Sequence, residues 1–173
     1  MGERSIARAF VFGYSFGGYV ALYLARHFPQ RLCGICSLAV KYVFDARTVQ
    51  HWTYLADPDR LRRPGSQRPA ELAKTHYPQD WAAITTLNRN LFTDLGANPA
   101  LTEEDLRAIT LPTLIISSDQ DQIVPLPETL ALGKLINNSR LAIFPGQAHP
   151  LIVCPLEDIA KTMGEWLRSV EVA

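Results

Sequence analysis

The residues best suited to chemistry lie in the pentapeptide Gly-Tyr-Ser-Phe-Gly, which ends at Gly17. An apolar run precedes it, and a run with helical spacing of apolar residues follows it. A tight turn from strand to helix lifts its central serine, here Ser15, clear of the strand end. We expect Gly13 and Gly17 to be required because side chains there would collide with the turned backbone. The same turn would aim the backbone N–H of Phe16 at a developing oxyanion.

A serine hydroxyl becomes a strong nucleophile only when a neighbouring base takes its proton. The chain has four histidines. His149 follows an apolar, strand-like run, so in a parallel sheet it would lie at the same edge as Ser15. His27 fits the polar side of the first helix, and His51 and His76 fall in a polar middle segment. We therefore favour His149 as the base.

An acid that orients the histidine should come from another strand end between Ser15 and His149 in sequence. Asp119 and Asp121 both follow a third apolar run, and Asp121 is the favoured candidate. The resulting order of serine, aspartate and histidine is typical of hydrolases built on a parallel α/β sheet.

Helical and strand-like patterns alternate along most of the chain. Continuous apolar strands separated by helices indicate a parallel α/β sheet of about four strands, buried on both faces and flanked by helices. The strands are predicted at 7–13, 31–40, 111–118 and 140–146. The main helices are predicted at 16–28, 127–138 and 156–170, the last with an apolar stripe of Ile159, Met163, Trp166 and Leu167.

The alternation is interrupted between residues 45 and 108. We interpret 45–108 as a helical lid inserted at the strand ends, leaving 1–44 and 109–173 as the core; plain connecting helices are the alternative. Thr102 and Asp105 resemble a capping box at the start of a short helix. We assign Tyr14, Trp52 and Trp81 to the binding of a small-molecule substrate with an apolar acyl group, although aromatic residues of the insertion could equally pack the lid.

Composition narrows the possible partners. Lys+Arg and Asp+Glu both number 17, and this zero net charge gives no sign of a nucleic-acid partner. No apolar run approaches the roughly 20 residues of a spanning helix, and no signal peptide is visible, so we expect a cytoplasmic protein without a membrane partner.

Cys33 and Cys36 form a C-x-x-C pair, but the pair falls on a strand, so we favour core thiols over a redox site. We expect no cofactor and no metal.

Three segments in this order, Val11–Gly18, Pro112–Pro125 and Phe144–Pro150, resemble the α/β-hydrolase family, and the resemblance covers nearly the whole chain. It implies that Ser15 is the nucleophile, Asp121 the acid and His149 the base. It also implies a cap domain where this chain has its insertion. A serine at this position argues against the branches of the family that use an aspartate nucleophile.

Members of this family normally carry about four strands before the nucleophile strand, whereas this sequence starts at that strand. The second oxyanion donor of the family comes from a loop in that earlier part, often after a His-Gly motif, which is absent from these 173 residues. We therefore expect a half-built oxyanion hole. We also expect the strand near 7–13 to be a sheet edge that could pair with a second copy in a homodimer.

The resemblance implies a serine hydrolase that cleaves an ester or similar acyl bond through an acyl-enzyme on Ser15. An acyltransferase or a cofactor-free haloperoxidase would use the same three residues. A catalytically weak fragment or assembly module would keep the motifs without the turnover.

Overall fold

The structure is a computed structural model that describes residues 6–171. The chain divides into two compact units. The first comprises Met1–Tyr42 and Leu101–Ala173, and the second comprises Val43–Ala100. Residues 101–108, which the sequence analysis placed in the insertion, thus belong to the first unit.

The first unit is built on a four-stranded parallel sheet with the order β1-β2-β3-β4. Its strands are β1 (Ala9–Tyr14), β2 (Leu32–Leu38), β3 (Thr113–Ser118) and β4 (Ser139–Phe144). The helices of the described residues are α1 (Phe16–His27), α2 (Ala46–Leu55), α3 (Pro58–Leu61), α4 (Arg68–His76), α5 (Trp81–Ala97), α6 (Glu103–Arg107), α7 (Leu126–Leu135) and α8 (Leu156–Glu171). The predicted α/β class, a parallel sheet of four strands flanked by helices, is confirmed.

The core of the first unit lies around the two central strands. Every residue of β3 is buried, as is nearly all of β2. The predicted apolar stripe of α8 packs here: Ile159 and Trp166 are buried, and Met163 and Leu167 lie against the same cluster. The ring of Phe10 on β1 meets Trp166 edge-on, with 5.7 Å between centroids.

The expectation that all four strands are buried on both faces is wrong for the two outer ones. Phe12 on β1 is 47% exposed and Leu141 on β4 is 42% exposed. Both strands are edges of the sheet among the described residues, so each has a neighbouring strand on one side only. Apolar composition alone does not reveal this difference, because the order of strands in the sheet decides which become edges.

Cys36 lies on β2 inside this core, and burial raises the pKa of its thiol to about 12. A redox pair needs a thiolate that forms near neutral pH. The position of Cys36 therefore favours the interpretation of a core thiol.

The second unit consists of helices α2 to α5. Aspartates cap three of these helices, α2, α3 and α5: Asp45, Asp57 and Asp80 each accept a backbone N–H of the first turn that follows. The ring of Phe92 on α5 packs against Phe44 and Trp52, at centroid distances of 6.3 Å and 5.4 Å. The helical character of the insertion was predicted, and its role as a lid stays a prediction.

Within residues 6–171, strand β1 is paired with β2 alone. Its pairing with a second copy of the chain stays a prediction. Of the helices that the structure describes, none combines the length and apolar character needed to cross a membrane.

Candidate active site

Ser15 occupies the joint between β1 and α1 in a backbone conformation that few residues other than glycine adopt. Its φ is 51° and its ψ is −118°, and such strain persists only where the surrounding structure enforces it. Two hydrogen bonds hold the turn. The Ser15 N–H donates to the Leu38 carbonyl at 2.8 Å, and the Gly18 N–H donates to the Ser15 carbonyl at 2.9 Å. Phe16 is the first residue of α1, and backbone N–H groups at a helix N-terminus favour negative charge.

The two glycines that flank the serine have different reasons to be there. A Cβ on Gly13 would lie 2.2 Å from the Gly17 carbonyl oxygen, whereas a Cβ on Gly17 would meet nothing within 4 Å. The expectation of a collision is thus wrong for Gly17, because its Cβ position faces open space. The second tight position is Gly18, where a Cβ would approach the Cβ of Val40 to 2.7 Å.

Ser15, His149 and Asp121 form one chain of hydrogen bonds. The Ser15 Oγ lies 3.0 Å from His149 Nε2, and His149 Nδ1 lies 2.7 Å from Asp121 Oδ2. The side chains of His149 and Asp121 are 9% and 1% exposed. Since an ionised carboxylate can only accept, Nδ1 must carry the proton, which leaves Nε2 to accept from the serine hydroxyl. This arrangement can draw the serine proton onto the imidazole.

Asp121 is held in its ionised form despite its burial. Burial raises the pKa of this carboxyl, but the hydrogen bond and charge of His149 and the N–H groups of Val124 and Ile123 together bring the pKa below the ordinary 3.8. Its Oδ1 accepts from the Ile123 N–H at 2.9 Å and from the Val124 N–H at 2.8 Å. One oxygen is thus fixed by the loop and the other faces His149.

Asp119, the second aspartate candidate, lies apart from this hydrogen-bond chain and contacts the loop that carries His149. Its Oδ1 accepts from the Gly146 N–H at 2.6 Å. The hydroxyl of Ser118 donates to the Gln147 carbonyl at 2.6 Å and accepts from the Gln147 N–H at 3.0 Å. The end of β3 therefore anchors the stretch immediately before His149.

The residues assigned to substrate binding lie in different parts of the chain. The hydroxyl of Tyr14 donates to the His149 carbonyl at 2.8 Å, so it is engaged within the first unit. Trp52 lies in the second unit against Phe92, and Trp81 begins α5 with the Arg62 guanidinium 5.3 Å from its ring centre. Contact of these residues with substrate stays a prediction.

The residues that line a small cavity include His149, Asp121, Leu38, Ser117, Cys154 and Ile159. Ser15 is not among its lining residues, so this cavity is not an acyl pocket next to the hydroxyl. Between residues 6 and 171, no three His, Cys, Asp or Glu side chains are grouped so that they could hold a metal ion.

Sequence reasoning missed two contacts that hold the site. One is the double hydrogen bond between Ser118 and Gln147, which the position of a serine at the last residue of a strand could have suggested. The other is the bond from Tyr14 to the carbonyl of His149, 135 residues away. No sequence signal identifies this bond, because it depends on where the loop after β4 ends in space.

Comparison with known proteins connects this geometry to a family. The model of the alpha/beta hydrolase family matches residues 2–162. The chain is 28% identical over 180 residues to a 2-hydroxymuconate semialdehyde hydrolase of Pseudomonas putida, a match covering 93% of this chain and 63% of that protein. A shorter match, 47% identical over 47 residues, joins it to a non-heme haloperoxidase of Rhodococcus erythropolis and covers 27% of this chain and 17% of that protein.

Among solved structures, a thermophilic esterase of Thermogutta terrifontis superposes with a TM-score of 0.67 at 25% identity, covering 95% of this chain and 66% of that one. The chain thus spans a little under two thirds of the length of the Pseudomonas hydrolase and of the Thermogutta esterase. The family match, which extends over most of the chain, and the parallel sheet with its serine turn agree: the chain belongs to the α/β-hydrolase family.

Proposed function

We propose that the chain is a serine hydrolase that cleaves an ester or similar acyl bond through an acyl-enzyme on Ser15. The observation that carries the proposal is the unbroken relay from Ser15 Oγ through the His149 ring to Asp121, with steps of 3.0 Å and 2.7 Å. Membership of the α/β-hydrolase family and similarity to proteins named hydrolase and esterase support the same reaction class.

In the proposed reaction, His149 Nε2 takes the Ser15 proton while Oγ attacks the carbonyl carbon of the substrate. The backbone N–H of Phe16 stabilises the oxyanion of the tetrahedral intermediate. His149 then returns the proton to the departing alkoxide, which leaves as an alcohol. Water, deprotonated by His149, releases the acyl group from Ser15. Asp121 keeps the proton on Nδ1 and stabilises the imidazolium that forms.

The direct test is covalent labelling with a fluorophosphonate, followed by mapping of the adduct by mass spectrometry. We expect one adduct, on Ser15, and none in Ser15→Ala. Ser66→Ala is the control, because Ser66 lies in an exposed loop of the second unit, where its hydroxyl accepts from the backbone N–H of Arg68. An adduct on another serine, or ester hydrolysis that survives in Ser15→Ala, would contradict the proposal. A folded chain that neither labels nor hydrolyses esters would support the assembly-module alternative.

A cofactor-free haloperoxidase is the second candidate, favoured by the match to the Rhodococcus haloperoxidase. In that reaction hydrogen peroxide, instead of water, attacks the acyl-enzyme and gives a peroxy acid and free Ser15. The peroxy acid oxidises bromide to hypobromous acid and is itself reduced to the carboxylate. Bromination that requires peroxide, a carboxylic acid and Ser15 together would identify this activity. Bromination unaffected by Ser15→Ala would exclude it.

We also propose that Trp52 and Trp81 contribute to recognition of an apolar acyl group. The test compares KM for short and long acyl esters in Trp81→Ala and Trp52→Ala. We expect a larger rise in KM for the long esters. Since Trp52 packs on Phe92, the thermal stability of its variant is measured in parallel. An equal change for both ester lengths would count against an acyl-binding role.

A further inference from the structure

Tyr14 and Ser15 are consecutive residues, and both contact His149. Ser15 Oγ faces the ring at Nε2, and the Tyr14 hydroxyl donates to the His149 main-chain carbonyl at 2.8 Å. The Tyr14 ring also lies against the imidazole, with 5.3 Å between centroids and 34° between the planes. The histidine is therefore held at its ring and at its backbone by the same end of β1.

The need for such a contact follows from the order of the strands. His149 and Ser15 both follow the carboxyl ends of strands, but those strands are not neighbours. His149 belongs to the loop after β4, and Ser15 follows β1, three strands away across the sheet. With roughly 4.7–4.9 Å between neighbouring strands, the loop must extend across about 14 Å of the sheet to reach the serine.

The near part of this loop is fixed by Ser118 and Asp119, which bond Gln147 and Gly146. These contacts come from the last residue of β3 and the residue that follows it, one strand away from the start of the loop. At the far end, the main chain of His149 itself is held by Tyr14. The side-chain bond from Asp121 fixes the rotation of the imidazole, and the bond from Tyr14 holds the backbone of the same residue.

We propose that Tyr14 is a positioning residue that sets the distance between His149 Nε2 and Ser15 Oγ by holding the carbonyl of His149. This role rests on the proposed function of the relay. It differs from the substrate-binding role predicted from sequence, because the hydroxyl is directed at the protein backbone. Burial raises the pKa of Tyr14, and the nearby Cys154 and Asp121 raise it further, while a backbone hydrogen bond of Leu151 lowers it by less. The phenol therefore keeps its proton and remains a donor at neutral pH.

The test is Tyr14→Phe, which removes the hydroxyl and keeps the ring. Loss of the bond to the His149 carbonyl, together with the backbone hydrogen bond of Leu151 to the same hydroxyl, should lower kcat for ester hydrolysis by about three- to tenfold with KM unchanged. The rate of fluorophosphonate labelling should fall by the same factor. Tyr23→Phe is the matched control: Tyr23 also lies beside a histidine, with its ring 4.2 Å from that of His27 on α1, and its variant should behave as the wild type.

A measurement that needs no turnover separates this inference from the proposed function. In protein labelled with ¹⁵N-histidine, the Nε2 resonance of His149 reports the bond from Ser15, and Ser15→Ala gives the reference for its loss. We expect Tyr14→Phe to shift this resonance toward the Ser15→Ala position, even if the chain hydrolyses no ester. An unchanged resonance in folded Tyr14→Phe would overturn the positioning role. A rise in KM with kcat unchanged would instead assign Tyr14 to substrate binding.

Discussion

Gly13 and the carbonyl of Gly17 approach so closely that a Cβ on Gly13 would lie 2.2 Å from that oxygen. The contact lies between the end of β1 and the first turn of α1, and it leaves no room for a side chain at Gly13. The strained conformation of Ser15 lies between these two residues. The position of the Ser15 hydroxyl therefore depends on residue 13 having no Cβ.

Gly13→Ala should displace the turn, because the obstructing atoms belong to the backbone and cannot rotate away. We expect the free energy of unfolding to fall by about 1–3 kcal/mol. We also expect the rate of Ser15 labelling to fall by more than about tenfold, since a rise of about 1.4 kcal/mol in the activation free energy already slows a reaction by that factor. Urea unfolding and fluorophosphonate kinetics measure the two effects.

Gly17→Ala is the matched control, because its new methyl group would meet nothing within 4 Å. Alanine in a helix is favoured over glycine by roughly 0.5–1 kcal/mol, so this variant should be at least as stable as the wild type and should label normally. Equal behaviour of the two variants would contradict the account of the turn.

Asp121→Asn and Asp119→Asn should separate the roles of the two aspartates. An asparagine at 121 can donate to Nδ1 and stabilise the wrong histidine tautomer, so kcat should fall by up to about 10⁴. An asparagine at 119 keeps an oxygen that can accept from the Gly146 N–H, so the loss should be far smaller. Steady-state ester hydrolysis compares the two, and equal losses or the reverse order would be evidence against Asp121 as the orienting acid.

The strands and the serine turn could be predicted from sequence because their signals are local. Apolar runs, the glycines around Ser15 and the aspartates and histidine after strand ends all lie within a few residues of the features that they form. The parallel sheet then brings strand ends to one edge, and this is why Asp121 and His149 could be chosen from sequence and are found adjacent to each other.

Other features depend on distances that a sequence does not encode. The exposure of Phe12 and Leu141 follows from strand order, and the bond from Tyr14 to His149 follows from the path of one loop. The contrast between Gly13 and Gly17 depends on the direction in which each Cα faces. Pattern analysis treats the two glycines alike, because both flank the same serine.

The ionisation of Asp121 predicts a dependence of stability on pH. Burial raises the pKa of this carboxyl, but the hydrogen bond and charge of His149 and the backbone N–H groups of Val124 and Ile123 bring the pKa below the ordinary 3.8. A carboxyl with a lowered folded-state pKa contributes stability that is complete above its ordinary pKa and is lost as pH falls through the folded value. The stability difference between wild type and Asp121→Asn should therefore hold from pH 7 to about pH 5 and shrink below pH 3.8. Urea unfolding at each pH measures it, and a difference that shrinks between pH 7 and pH 5 would contradict the assignment.

Lys41 and Glu128 form an ion pair that is almost entirely withdrawn from water. Nζ lies 2.5 Å from Oε2, and the two side chains are 11% and 10% exposed. The other carboxylate oxygen accepts from the Tyr42 N–H at 3.1 Å. The pair thus links residues 41 and 42, which follow β2 at the end of this part of the first unit, to the first turn of α7.

Lys41→Met should lower the free energy of unfolding by about 3–5 kcal/mol, because it removes the buried ammonium that balances the charge of the Glu128 carboxylate. Lys41→Met combined with Glu128→Gln should recover a large part of that loss, since the amide oxygen can still accept from Tyr42 and no charge remains. Arg68→Met is the control: Arg68 and Glu71 are 60% and 58% exposed, and an exposed pair contributes at most about 1 kcal/mol. Thermal and urea unfolding of the three variants decide the point. If the double variant were as unstable as Lys41→Met alone, the cost would come from lost packing of the lysine stem and not from loss of the lysine charge.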